Sequence, residues 1–187
     1  MLDHSRKSIS RQIIILAIPI IFSNLSRVAM GLADMAMVSR LGAKALAATG
    51  MGSILLWVFF SMGIGVRTAV QTVSARRLGQ ERYPECGNSL HNGIILVSCI
   101  AIPFTFVGIL YSNEIARLFL EDSAVISDCT DYLFIGYFSL IFVLIGFVFQ
   151  GFYAGLEQMR VHMVVSITSN ALNVYLNAGF IYGSEYI

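Results

Sequence analysis

The sequence predicts an all-α integral membrane protein with five transmembrane helices. Hydrophobic residues make up 57% of the 187 positions and charged residues 12%, whereas a soluble domain carries about 25% charged residues. The apolar residues form five segments, each at least as long as the roughly 20 residues with which a helix crosses a bilayer. These segments lack the alternation and the length of about ten residues that are typical of strands in a membrane barrel.

The polar stretches between the apolar segments divide the chain. Residues 1–12 are polar and precede a segment too long for a signal peptide, so they are predicted to form a cytoplasmic tail before an uncleaved helix. A short amphipathic helix is expected around Ile115–Leu120, in the acidic loop after the third segment. The chain ends where a sixth span would follow, so 13–187 is predicted to be a partial transmembrane lobe. The five predicted helices cover about 13–38, 45–75, 90–111, 129–156 and 161–182.

The loop charges predict the orientation of the chain, because cytoplasmic loops carry an excess of Lys and Arg. Five spans place alternate loops on opposite sides of the membrane. One side then holds Arg6, Lys7, Arg11, Arg76, Arg77, Arg82 and Arg160, and the other holds Arg40, Lys44 and Arg117. The N-terminus is therefore predicted to face the cytoplasm.

The first segment carries charged residues at membrane depth. Arg27 and Asp34 are seven residues apart, so they share a helix face at an axial distance of about 10 Å. A charge at the helix centre costs at least about 2.5–3.5 kcal/mol, so such residues usually face a polar cavity and have a function. We expect Asp34 to be a protonatable or cation-binding carboxylate; the alternative is that it simply reaches water at the helix end. Pro19 removes a backbone hydrogen bond and predicts a bend.

The fifth segment carries three carboxamides on one face. Asn170, Asn173 and Asn177 follow the i, i+3, i+7 pattern. Hydrogen bonds between membrane helices contribute only about 0.6 kcal/mol on average, so adhesion alone explains these residues poorly. Carboxamide oxygens bind hard cations and accept hydrogen bonds from a protonated carboxyl. The face is therefore a candidate site, with helix packing as the alternative.

Other polar features are less specific. Arg67 lies toward the cytoplasmic half of the second segment, where reaching water near Arg76 and Arg77 explains it as well as a substrate contact does. The GxxxG pattern at 151–155 indicates a close helix crossing. The three cysteines show no metal-ligand spacing. No Ser–His–Asp or Cys–His grouping is apparent, so neither an enzyme nor a nucleic-acid-binding protein is predicted.

Three stretches resemble the MATE (multidrug and toxic compound extrusion) family. They are LAIPIIFSNLSRVAMGLADMAMVSRLGAKALAATG, GIGVRTAVQTVSARRLGQ and FQGFYAGLEQMRVHMVVSITSNALNVYLNAGFIYG, and their order and spacing are kept from about Ile13 to Gly183. The resemblance implies two six-helix lobes, of which this chain is most of the amino-terminal one. It also implies an efflux antiporter of the plasma (inner) membrane that is coupled to H⁺ or Na⁺, works by alternating access and uses no other cofactor. The implied partners are an organic cation or amphiphile as substrate, the lipid bilayer and a second lobe in the same or another chain.

The resemblance also assigns residue roles. Asp34 matches the acidic residue of the first helix that is thought to bind the coupling ion. Asn173 and Asn177 match the polar positions beside it, so that any Na⁺ would bind at these three residues. Pro19 matches the proline whose bend has been linked to that site.

The sequence departs from the family pattern at several positions. Some members carry Asp where Asn177 stands, Arg27 occupies a position often filled by Gln, and Gln150 stands where a basic residue is common. Arg27, Asn170, Arg67 and Gln150 are candidate cavity or substrate residues. The two arginines also leave open a related flippase of lipid-linked glycans or polysaccharides. A non-transporting membrane fragment or scaffold is the second alternative.

Overall fold

The computed structural model describes the backbone of residues 2–183 and the side chains of residues 14, 17–181 and 183. Every regular element within this range is an α-helix. The five long helices correspond to the five predicted segments, and the short α4 corresponds to the expected amphipathic helix. The helices are α1 (Leu2–Ser39), α2 (Ala43–Gly79), α3 (Tyr83–Leu110), α4 (Ser112–Phe119), α5 (Ser123–Gly155) and α6 (Met159–Tyr182).

The helix lengths fit a membrane protein. Within the described residues, α2, α3 and α5 are long and apolar enough to cross a membrane. α1 has 38 residues and α6 has 24, so at about 1.5 Å per residue both exceed a hydrocarbon core of about 30 Å. α4 has 8 residues and is too short to span. The predicted all-α membrane fold is confirmed.

The helices extend beyond the apolar segments that predicted them. α3 begins at Tyr83 rather than near residue 90, and Pro84 lies in its first turn, where the missing N–H has no helical partner to lose. α5 begins at Ser123 rather than near residue 129, because the Asp122 carboxylate caps it by accepting the Ala124 N–H at 2.9 Å. Hydropathy marks the part of a helix that lies in the membrane, whereas caps and prolines decide where the helix ends.

The N-terminal tail predicted at 1–12 is largely helical. Its backbone belongs to α1 from Leu2 onward. Its side chains, including the basic residues that entered the orientation count, lie outside the described residues. The orientation therefore stays a prediction.

The chain divides into two compact units. The two-helix unit comprises Met1–Met37 and Glu157–Ile187, and the four-helix unit comprises Val38–Leu156. The first contains most of α1 together with α6, and the second contains α2 to α5.

In the four-helix unit, α2 and α5 pack closely and run parallel. Small residues from both helices allow this approach, and successive contacts advance in the same direction along the two chains. The contacts pair Gly52 with Tyr132, Leu56 with Gly136, Gly63 with Leu144, Arg67 with Gly151, and Gln71 with Gly155. The close crossing that the GxxxG pattern indicated is thus present, between α5 and α2.

Two clusters of buried apolar side chains complete this unit. One lies toward α4 and contains Ala48, Leu56, Ala116, Val125, Cys129, Leu133 and Tyr137. The other joins α2, α3 and α5 through Val66, Val70, Val97, Ala101, Leu140, Leu144 and Val148. α3 is also tied to α5 by a hydrogen bond from the Thr105 hydroxyl to the Tyr137 carbonyl at 3.1 Å.

Candidate functional site

The two-helix unit contains a polar seam between α1 and α6. The Asn170 amide donates to the Ser26 hydroxyl oxygen at 2.9 Å, and the Asn177 amide donates to Oδ1 of Asp34 at 2.8 Å. The partners advance together along the sequence, so α1 and α6 run parallel. Two helices are parallel when an odd number of membrane crossings separates them along the chain. Three crossings by α2, α3 and α5, with an α4 that does not cross, meet this condition for α1 and α6.

Asp34, Asn173 and Asn177 form one hydrogen-bonded cluster on this seam. Nδ2 of Asn177 donates both to Asp34 Oδ1 and, at 3.0 Å, to Oδ1 of Asn173. The two asparagines are one helical turn apart, which places them on the same face of α6. All three residues are half-buried. The three residues that the sequence proposed for ion coupling therefore lie together, and their role stays a prediction.

The cluster gives the Asp34 carboxyl a hydrogen-bond donor. The Asn177 amide donates to one of its two oxygens. Among the described residues, Asn177 is the donor to Asp34, which leaves the second carboxylate oxygen available to a proton or a cation. A hard cation prefers oxygen ligands, so Asp34 and the carbonyl oxygens of the two asparagines are suitable ligands for Na⁺. Among the described residues, no group of three or more His, Cys, Asp or Glu side chains is placed to hold a metal ion.

The hydrogen bond from Asn170 to Ser26 is a feature that the sequence analysis missed. Ser26 precedes Asp34 by eight residues and Asn170 precedes Asn177 by seven, so each pair returns to the same helix face after two turns. This matched spacing is a signal in the sequence, but it has meaning only once α1 and α6 are known to be parallel neighbours. Asn170 thus stabilises the seam about two turns from the Asp34 cluster.

Arg27 does not pair with Asp34. Its guanidinium donates to Oδ1 of Asn24 at 2.6 Å, one turn away on the same helix, and the residue is exposed. Asp34 lies about 10 Å further along the helix axis, whereas Asn24 is only one turn from Arg27. Among the described residues, no ion pair joins Arg27 to Asp34, and Arg27 lies outside the cluster. Its role as a cavity or substrate residue stays a prediction.

Pro19 lies buried within an uninterrupted α1. Beside it, the Ser23 hydroxyl donates to the Pro19 carbonyl at 2.9 Å. Both a proline within a helix and a serine bonded to the carbonyl four residues earlier favour bending. The bend assigned to Pro19 stays a prediction, now with two local causes.

The remaining candidates, Arg67 and Gln150, belong to the four-helix unit. Arg67 is half-buried, and its backbone carbonyl lies against Gly151. Gln150 is 9% exposed, so it is buried. A cavity or substrate role for Gln150 and for Arg67 stays a prediction.

Comparison with known proteins identifies the family. The MatE family model matches residues 19–178, which is most of the chain and contains the whole Asp34 cluster. The chain belongs to the MatE family. Members of this family are transporters rather than enzymes, and the long apolar helices described above agree with a location in the membrane.

Curated MatE relatives are longer than this chain. The multidrug resistance protein NorM of Vibrio parahaemolyticus is 26% identical over 185 residues, which cover 96% of this chain and 39% of that protein. NorM of Vibrio cholerae is 23% identical over 181 residues, with the same shares of the two chains. The chain therefore spans about two fifths of the length of the curated MatE relatives that it matches.

Solved structures show the same MATE fold. A transporter of the MOP superfamily from Pyrococcus furiosus matches with a TM-score of 0.86 at 21% identity, over 91% of this chain and 38% of that one. The MATE transporter ClbM in complex with Rb⁺ matches with a TM-score of 0.81 at 20% identity, over 94% of this chain and 41% of that one.

Proposed function

We propose that this chain supplies the coupling-ion site of a cation-driven multidrug efflux antiporter. The observation that carries the proposal is the Asp34–Asn177–Asn173 cluster, in which one amide bridges a membrane carboxylate and a second amide. A carboxylate at membrane depth is costly unless it has a function. The NorM relatives are multidrug resistance proteins, which supports export of small molecules by the protein that contains this chain.

In the proposed cycle, Asp34 alternates between an ionised and a neutralised state. When ionised, it accepts the Asn177 amide as described. A proton on the second oxygen adds a donor there and removes the charge that strengthens the bond from Asn177. A bound Na⁺ attracts amide oxygens rather than N–H groups, so either event changes the contact with Asn177. A change of contact between α1 and α6 gives the two conformations different free energies, and only such a difference allows an ion gradient to drive export.

The rest of the transporter is part of the same proposal. Alternating access requires a second lobe, in the same or another chain. We place the protein in the plasma (inner) membrane with its N-terminus in the cytoplasm, supported by the distribution of Lys and Arg over the loops. An organic cation or amphiphile is the proposed substrate. The Rb⁺ complex of ClbM supports a monovalent cation as a ligand of this fold, so H⁺ and Na⁺ are tested separately.

The test is export of a fluorescent organic cation from vesicles that contain the complete transporter, with proton and sodium gradients imposed one at a time. Coupling free energies of about 1–3 kcal/mol correspond to about 5- to 150-fold, so Asp34→Asn is expected to lower gradient-driven export by a factor in that range. Asp128→Asn, at an exposed position of α5, is the matched control and should export normally. Unchanged, gradient-dependent export by Asp34→Asn would refute the proposal.

A further inference from the structure

The four-helix unit contains a groove between α2 and α3 whose lining is mostly apolar, with Asn92 within it and Arg77 at one end. Its volume is about 310 Å³, and its apolar lining includes Val66, Val73 and Leu96. Arg77 and Ser89, which are hydrogen-bonded to each other, line one end of the groove. On α2 the lining residues recur every three or four positions, so the groove follows a single face of the helix.

The Arg77–Ser89 end of the groove lies at the level of the membrane boundary. From Ser89 to the end of α3 at Leu110 is 21 residues, or about 32 Å, which matches a hydrocarbon core of about 30 Å. From Val66 to Arg77 is about 16 Å along α2, which is close to half of that core. The groove therefore extends from the headgroup region to the middle of the bilayer, which is the depth of one acyl chain.

The basic end is built and held by the fold. The Arg77 guanidinium donates to the Glu85 carbonyl and, at 2.8 Å, to the Ser89 hydroxyl. The Glu85 carboxylate lies 3.6 Å from the Arg82 guanidinium and 3.8 Å from Nε of Arg77. Arg76 adds an exposed positive charge next to this pair of bridges. Three arginines at this turn between α2 and α3 outnumber its two acidic residues, Glu81 and Glu85.

We propose that this groove binds an anionic phospholipid, with the phosphate at the arginines of the α2–α3 turn and one acyl chain along the groove. Basic pockets between membrane helices are suited to anionic headgroups. Apart from Asn92, the side chains deeper in the groove are apolar, so a free anion would gain little from the length of the groove. The site shares no residue with the Asp34 cluster, so failure of this proposal would leave the proposed coupling site untouched.

The test is native mass spectrometry of the purified full chain with phosphatidylglycerol or phosphatidylcholine of matched acyl chains. Phosphatidylglycerol is expected to be retained preferentially. An arginine near an anionic headgroup contributes about 1 kcal/mol, so Arg76→Gln should lower retention of phosphatidylglycerol about fivefold. Arg117→Gln, which changes an exposed arginine near the end of α4, is the charge control and should leave it unchanged. Inorganic phosphate should not displace the lipid.

A second pair of variants tests the acyl-chain groove itself. Ala69→Phe fills the groove and should lower retention of both lipids, whereas Ala47→Phe, at an exposed alanine outside the groove on the same helix, should not. If Ala69→Phe does not fold, as judged by circular dichroism, Val73→Phe one turn further on replaces it. Equal retention of the two lipids, displacement by inorganic phosphate, or normal retention with the groove filled would each overturn the proposal.

Discussion

The contact of α5 with α2 makes a quantitative prediction about Gly151 and Gly155. A Cβ atom on Gly151 would overlap the backbone carbonyl of Arg67, and one on Gly155 would lie 2.6 Å from the Gln71 carbonyl oxygen. Ordinary contacts of this kind are about 3.5–4.0 Å, so the helices must separate by about 1 Å to admit either methyl group. The atoms in the way are backbone atoms of α2 and, at Gly155, the Cβ of Ser74, and none of them can move aside by changing a rotamer.

The expected cost follows from this overlap. Overpacking a well-filled interface typically costs about 1–3 kcal/mol, so Gly151→Ala and Gly155→Ala should each lower the free energy of unfolding by that amount. The two sites are one turn apart on the same contact, so a separation that relieves one overlap also relieves part of the other. The double variant should therefore cost less than the sum of the single variants.

The measurement is reversible unfolding in mixed micelles, followed by far-ultraviolet circular dichroism as SDS is added. Gly146→Ala is the matched control on α5, because a Cβ there has no atom within 4 Å. This change removes a helix-destabilising glycine and should be neutral or raise stability by up to about 1 kcal/mol. If Gly151→Ala proves as stable as Gly146→Ala, the close backbone contact is refuted. Strictly additive costs would refute the shared separation.

Two further predictions concern polar contacts. The N–H of Ala124 and the Lys44 ammonium, 3.3 Å away, lower the pKa of the Asp122 carboxyl below its ordinary value of 3.8. The stabilisation of the folded protein by the ionised Asp122 is present above that value and disappears as the pH falls through the lowered pKa. The difference in unfolding midpoint between the parent protein and Asp122→Asn should therefore shrink in acid. A constant difference would contradict this. Asn170→Ala should destabilise the protein by only about 0.6 kcal/mol. Adding Ser26→Ala to this variant should lower the stability little further. A fully additive loss in SDS titration would show that the two side chains do not act as a pair.

Much of the fold follows from the sequence because burial in a bilayer imposes a simple rule. Every spanning backbone must satisfy its own hydrogen bonds, so long apolar segments become helices. The Asn173–Asn177 pair could also be predicted from the sequence, since helical periodicity alone places the two side chains one turn apart. The family resemblance, rather than periodicity, linked this pair to Asp34.

What could not be predicted depends on the register between helices. The glycines of α2 and α5 were visible in the sequence, but the pairing of Gly151 with Arg67 and of Gly155 with Gln71 requires the helices to be parallel and correctly offset. The contact of Ser26 with Asn170 could not be predicted either, because it depends on the register between α1 and α6. Helix ends were displaced because caps such as Asp122 act through local hydrogen bonds that hydropathy does not record.

The two parallel helix pairs differ in a way that bears on the proposed mechanism. α2 and α5 meet through glycines that pack against backbone atoms and against aromatic and aliphatic side chains, and no carboxylate takes part in these contacts. The α1–α6 seam is closed by amide and hydroxyl groups, whose hydrogen bonds contribute about 0.6 kcal/mol each on average. In the proposed cycle, neutralising Asp34 acts on one of these bonds directly, because a proton removes the charge that strengthens the bond from Asn177 and a cation competes for the same carboxylate. The glycine contact of α2 with α5 contains no such group. We therefore expect the conformational response to the coupling ion to begin between α1 and α6.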